Sequence, residues 1–335
     1  MAKPRDPQPA EPLSSGILRR SGWVIVLLVI FTGTNLRGET GIIDECGWKP
    51  VDDQFITVEG IRLHYVSKGA GQAVVLIHGN PGFLQDYSAV VADLVSRNFR
   101  AVAFDRPGHG LSQRPTHQEA TPEVQARLLH QALIKLGISK PILVGHSWGG
   151  TLVLNYALQY PDEVSGIVLL APAAYPERAG FSFQNLLVHV PVFGSIMIKA
   201  LRPYIHNEIK CGLERAFSPA QVPKEYLKLA LSCWARSTAI RATIADHQAR
   251  QHHLREISIR YPTIRLPVII LTGDADRVVN PLTEAYPLHE AIKDSRLIVL
   301  PHVGHEIPQS NPKDVLEAIQ LVRQLVQEKP SRSLG

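Results

Sequence analysis

Short, unbroken apolar runs recur along this chain, with amphipathic segments between them. AVVLIHG (73–79), RAVAFD (100–105), PILVGHS (141–147), GIVLLAPA (166–173), LPVIILTGDAD (266–276) and RLIVLPHVGH (296–305) each hold at least four consecutive apolar positions. Runs of this kind predict strands buried on both faces, as in a parallel sheet. Upstream, FITVEG and IRLHYVSKG alternate apolar and polar residues around Gly60 and predict an antiparallel hairpin. The intervening segments read as helices, from about Gln85 to Arg97, after Thr121-Pro122-Glu123, through TLVLNYALQY, and around 283–293. Thr121 is a capping residue with proline in the first helical position. A last amphipathic helix is expected from Pro312 to about Gln327, with Asn311 as its N-cap. Strands alternating with helices place the chain in the α/β class with a mostly parallel, doubly wound sheet.

The alternation stops between residues 176 and 265. That stretch has helical periodicity broken at Pro191, Pro203, Pro219, Pro223 and Pro262, the pattern of an inserted helical lid. The expected organisation is a tail at 1–48, an α/β core at 49–175 and 266–328, and a lid at 176–265. Within the lid, FSFQNLLVHVPVFGSIMIKALRPYI (181–205) is apolar enough to line a pocket for a hydrophobic group or to touch a bilayer.

In the tail, Arg19-Arg20 precede sixteen residues without a charge, 21–36. A membrane span needs about 20 apolar residues and a signal-peptide core about 7–15, so a short signal-anchor and a cleaved signal peptide both fit. Thr32-Gly-Thr34 matches a small-residue cleavage site poorly, which favours the uncleaved anchor. Positive charge ahead of the run keeps the N-terminus cytoplasmic and exports the catalytic domain. The expectation is a membrane-anchored protein, or a secreted or periplasmic one if the segment is removed.

Chemistry concentrates where strands end. In Gly145-His146-Ser147-Trp148-Gly149 a serine sits between a buried strand and an apolar helix, with glycine two residues away on each side. This is the nucleophile-elbow pattern in its required context: a tight turn that lifts the hydroxyl above the sheet and aims helix N–H groups at it. A serine hydroxyl needs a base, and the base needs an orienting acid. Asp276 follows one strand and His305 the next, in the order Ser…Asp…His. Asp274, nearer its strand, is the alternative acid and the better turn-shaper. His302 is the competing histidine, placed to pack at the strand exit, and His146 flanks the nucleophile. For a developing oxyanion the expected donors are the backbone N–H groups of Trp148 and Asn80, since Pro81 has none.

Composition narrows the alternatives. With 335 residues, 45% apolar and 19% charged, the chain can bury a large core. The net charge of +5 is uneven: residues 177–265 carry 13 Lys/Arg against 6 Asp/Glu, so the basicity belongs to the lid, where a solvated helical face is the simplest reading. These charges lie among aliphatic residues with no aromatic stacking surface, so no nucleic-acid partner is expected. Cys46, Cys211 and Cys233 lack metal-ligand spacing, and no phosphate-binding glycine motif is present, so neither a metal nor another cofactor is expected. Cys211 and Cys233 have the option of pairing in an oxidising compartment.

Five motifs in order, HGNPG (78–82), FDRPGHGLS (104–112), GHSWGG (145–150), GDADRVV (273–279) and VGHEIP (303–308), resemble the α/β-hydrolase superfamily over residues 55–325. The likeness is to its lidded branch of epoxide hydrolases, haloalkane dehalogenases, cofactor-free haloperoxidases, C–C hydrolases and prolyl aminopeptidases. The resemblance implies an α/β-hydrolase fold with an eight-stranded sheet flanked by helices, and a Ser147–His305–Asp276 triad. Epoxide hydrolases and dehalogenases carry aspartate as nucleophile, and Ser147 departs from both. Asn80 and His146 depart from the HGGPG and GGSWG patterns of prolyl aminopeptidases. Asp105 and Arg106 match a family turn that supports the scaffold. The resemblance and the triad together imply a serine hydrolase acting on an ester or related acyl bond of a hydrophobic small molecule. Haloperoxidase-like or aminopeptidase-like chemistry on the same triad, and a non-catalytic binding protein on the same fold, are the alternatives.

Overall fold

A computed structural model describes residues 53–176 and 201–332. The tail, its apolar run, Cys46 and most of the apolar lid stretch lie outside the described residues. Among the described residues no helix is long and apolar enough to cross a membrane.

The hairpin forms as the alternation requires: β1 (Gln54–Val58) pairs antiparallel with β2 (Ile61–Lys68). Glu59 and Gly60 both have positive φ in the two-residue turn between them. The apolar runs become β3 (Gln72–Ile77), β4 (Phe99–Phe104), β5 (Ile142–His146), β6 (Gly166–Leu170), β7 (Val268–Gly273) and β8 (Ser295–Leu300). The eight strands form one sheet in the order β1-β2-β4-β3-β5-β6-β7-β8, and β3 to β8 are mutually parallel. The loops after β3, β5, β6, β7 and β8 therefore share one edge of the sheet, where α/β folds site their chemistry.

Both faces of the sheet are covered, so consecutive strand residues can all be apolar. Val75, Ile77, Leu143, Ile167, Leu169, Val268 and Ile270 pack on one side beneath α2 (Pro122–Lys135) and α3 (Trp148–Gln159). Val74, Leu76, Val144, Val168, Leu170, Ile269 and Leu271 pack on the other beneath α1 (Ser88–Ser96) and the closing helix of residues 312–332. The Thr121 hydroxyl accepts from the Val124 N–H with Pro122 opening the helix, so the cap forms as its sequence predicts.

Between β6 and β7 the described residues hold three helices, α4 (Arg202–Phe217), α5 (Lys224–Trp234) and α6 (Ser237–Ile257). Leu213, Phe217, Tyr226, Ala230 and Trp234 form a separate apolar cluster that closes over Phe83, in the loop after β3. Leu254, Ile257 and Tyr261 belong instead to the main core. Beyond β7, α7 (Ala285–Ala291) precedes β8, and α8 (Ile307–Ser310) leads into α9 (Pro312–Arg332).

The fold closes one open option and corrects one expectation. Cys211 is exposed and free while Cys233 is disulfide-bonded, so the two do not pair. The basic lid is not uniformly a solvated face, because Arg250 is buried and so is its acidic neighbour on the helix, Asp246.

Candidate active site

Ser147 lies between β5 and α3, as the N-cap of that helix, with φ 52° and ψ −116°. A non-glycine residue at positive φ costs about 1–3 kcal/mol and persists only where its surroundings fix it. Here the Ser147 N–H donates to the Leu170 carbonyl (2.9 Å), and the Ser147 carbonyl accepts from Gly150 and Ala173 (2.9 and 3.1 Å). The flanking glycines are required by space. A methyl on Gly149 would strike the Ile77 and His78 carbonyls, and one on Gly145 would strike the Gly149 backbone.

Asp276 and His305 meet after β7 and β8. His305 Nδ1 lies 2.8 Å from Asp276 Oδ2, and Asp276 Oδ1 accepts from the Val278 and Val279 N–H groups at 2.8 and 2.9 Å. Burial opposes ionisation of Asp276, but the His305 charge and these hydrogen bonds outweigh it and hold the carboxyl below its ordinary value. Burial likewise opposes the His305 imidazolium, and the Asp276 carboxylate outweighs it, raising the histidine above its ordinary value. With Nδ1 engaged by the acid, Nε2 is the ring nitrogen left for the serine proton. Ser147 is only 8% exposed and His305 only 4%, which limits competition from water.

His146 holds His305 in place. Their ring centroids are 4.7 Å apart and His146 Nε2 lies 2.9 Å from the His305 carbonyl oxygen. Burial, with the neighbouring His305 charge, pushes His146 down to about 3, so its neutral ring donates that bond. Asp274 instead receives the His302 N–H at 2.7 Å and shapes the turn. His302 itself is exposed at φ 59°, so the packing role expected of it is not realised.

The loop after β3 reaches Ser147: a Cβ built on Gly79 would lie 3.2 Å from Ser147 Cβ. The Gly79 carbonyl accepts from Arg106 Nη2 (2.8 Å) and His78 Nδ1 (2.9 Å). A trans peptide sets its N–H opposite its C=O, so the Asn80 N–H projects the other way. Trp148 is the first residue of α3, and its N–H has no acceptor within the helix.

Sequence reasoning missed how far the lid enters this site. The Ala216 carbonyl at the end of α4 accepts from the His305 N–H (2.6 Å), and Gly304 leaves no room for a Cβ against Ala216 and Ser218. Asp246 on α6 is fully buried between Arg106 (2.6 Å), His109 (3.0 Å) and Arg114 (2.8 Å), which hold it well below the carboxylate range although burial opposes this. Nothing in the helical pattern around 246 marks these partners, which lie 132–140 residues away. A lone acid among basic residues was the one available signal.

Residues 72–190 match the family described as alpha/beta hydrolase fold. The chain is 33% identical over 159 residues to the bifunctional epoxide hydrolase 2 of Sus scrofa, covering 47% of this chain and 29% of that protein. It therefore spans about a third of the length of the epoxide hydrolases it matches. It is 27% identical over 275 residues to haloalkane dehalogenase 2 of Mycobacterium tuberculosis, covering 81% of this chain and 94% of that one. Among solved structures, an alpha/beta hydrolase fold protein from Burkholderia ambifaria superposes with a TM-score of 0.69 at 22% identity, covering 79% and 96% of the two chains.

Proposed function

We propose that this chain, a member of the α/β-hydrolase superfamily, is a serine hydrolase that cleaves a carboxylic ester or related acyl bond of a hydrophobic small molecule through an acyl-serine intermediate. One observation carries the reading: Ser147 stands at positive φ on the elbow, at the same sheet edge as the 2.8 Å Asp276–His305 pair. The nucleophile is a serine rather than an aspartate, which directs the chemistry to acyl transfer.

His305 Nε2 takes the Ser147 proton as Oγ attacks the carbonyl carbon. Asp276 stabilises the resulting imidazolium without accepting the proton. The oxygen of the tetrahedral intermediate takes up negative charge between the Trp148 and Asn80 N–H groups, each such donor being worth about 3–4 kcal/mol. As the intermediate collapses, the alcohol leaves with the proton held by His305. Water then repeats the sequence on the acyl-serine and releases the acid.

We place the catalytic domain outside the cytoplasm, tethered through the apolar run 21–36 or released by its cleavage. Arg19-Arg20 ahead of that run and the disulfide at Cys233 support this placement.

The test is turnover of p-nitrophenyl esters from two to sixteen carbons, with Ser147→Ala as control and a fluorophosphonate to label the nucleophile. Ester turnover abolished by Ser147→Ala supports the reading. Full activity in that variant refutes the triad, and failure to label Ser147 in folded protein favours a non-catalytic binding protein.

A further inference from the structure

Arg106 lies at the junction of three elements. Its Nη2 donates to the Gly79 carbonyl (2.8 Å), its Nε to the His78 carbonyl (3.1 Å) and its backbone N–H to His78 Nε2 (2.9 Å). Its guanidinium carbon sits 4.0 Å from the centroid of the Trp148 ring. Through Nη1 it meets Asp246 Oδ2 at 2.6 Å, in full burial. One side chain therefore orients the peptide that carries the Asn80 N–H, braces the residue that carries the other oxyanion donor, and is itself held by a lid carboxylate.

The lid also grips both donor residues directly. The Trp148 indole N–H donates to the Asp246 carbonyl (3.1 Å), and the Asn80 side-chain amide donates to the Thr243 carbonyl (2.9 Å). These carbonyls are three residues apart on α6 and so lie on one face of that helix. Three contacts thus run from a single turn of the lid toward the two residues expected to stabilise the transition state, two of them direct and one through Arg106.

We infer that Asp246 is a positioning residue for the oxyanion hole: through Arg106, Trp148 and Asn80, the lid helix α6 sets the aim of both backbone donors. This rests on the acyl-transfer reading of the site. An oxyanion donor works only when preorganised where charge develops. A displacement of about 1 Å costs roughly a hundredfold in rate. Asp246→Asn keeps the size of the side chain and removes the charge that holds Arg106.

The experiment uses the full-length chain and counts active sites by fluorophosphonate titration. It compares an alkyl trifluoromethyl ketone, whose serine adduct places an oxyanion in the hole, with the matching methyl ketone. Asp246→Asn is expected to lose roughly a hundredfold in kcat per titrated site and in trifluoromethyl ketone affinity, while KM and methyl ketone affinity stay within about twofold. Asn80→Ala removes only the half-buried tether to Thr243 and retains the N–H, so it carries the same test, with a loss of roughly tenfold, should Asp246→Asn fail to fold. A merely structural role would reduce the number of titratable sites and leave both ketone affinities unchanged at those that remain. Wild-type preference for the trifluoromethyl ketone that survives in the variants overturns the inference alone. Absence of that preference in wild-type protein overturns the acyl-transfer reading and the inference with it.

Discussion

Replacing Glu306 by glutamine is expected to stabilise the protein, and increasingly so as pH rises from about 4.5 through neutral. Glu306 follows His305, is buried, and has an Oε2 with no hydrogen-bond partner among the described residues. Burial raises it from 4.5 to about 7, with His305 pulling the other way and Asp276 adding to the rise. Asp86, also buried, is pushed upward by its own desolvation and by Glu306, although it accepts from the Tyr226 hydroxyl and the Phe83 N–H. A carboxyl with a raised folded-state pKa binds more protons in the folded than in the unfolded chain between those two values. Stability therefore falls as pH rises from about 4.5 through about 7. At 1.36 kcal/mol per pKa unit, the rise corresponds to a penalty of about 3 kcal/mol at pH 8 that is absent at pH 4. Glutamine has nearly the same shape and does not ionise, so Glu306→Gln removes the penalty. Urea unfolding at pH 5 and pH 8 checks this: a gain of about 3 kcal/mol at pH 8, and about 1 kcal/mol or less at pH 5. Equal effects at both pH values, or a loss at pH 8, would refute the reasoning and mean that the ionised carboxylate is well accommodated.

Other consequences arise from the same geometry. Because Asp276 raises the His305 pKa and, under the proposed mechanism, only the neutral ring accepts the serine proton, kcat/KM of the wild-type protein should fall on acidification with a midpoint above the ordinary value of about 6.5. Glu306 also raises His305, so Glu306→Gln should move that acid limb to lower pH. Asp276→Asn should cut kcat by about 10⁴, while Asp274→Asn, which keeps an acceptor oxygen for the His302 N–H, should keep most activity, as measured by initial rates. Glu284 Oε2 accepts both the Ala174 and Tyr175 N–H groups at the exit of β6. Glu284→Ala should therefore cost about 2–4 kcal/mol in urea unfolding, and Glu284→Gln, which keeps an acceptor oxygen, much less. Gly149→Ala should cost at least about 1–3 kcal/mol by the same measurement, because its methyl meets the carbonyls at the end of β3.

Local chemistry made much of the fold readable. VVLI, ILV, IVLL and VIIL hold no polar alternation because both faces of their strands are buried. Thr121-Pro122 marked a helix start because its cap uses atoms within four residues. Ser147, Asp276 and His305 were visible because each stands just beyond an apolar run. Asp246 and Glu284 were hidden for the opposite reason. Their partners are 109–140 residues away, and a buried acid within a polar helix face looks like a solvated one until its partner is placed beside it. The same blindness made the lid's basic residues look uniformly exposed.

The placement of Leu254, Ile257 and Tyr261 in the main core bears on engineering this protein. The lid is not a cap that can be cut off at its two junctions with the sheet, because its last helix forms part of the wall against which α3 packs. Exchanging it for a relative's lid to change substrate preference would be a graft across a continuous interior. A chimera that ignored the match between Asp246 and Arg106 would bury an arginine beside a foreign helix. The transplantable unit is therefore larger than the insertion: it includes the turn 105–114 on the core side, and the two must be moved together.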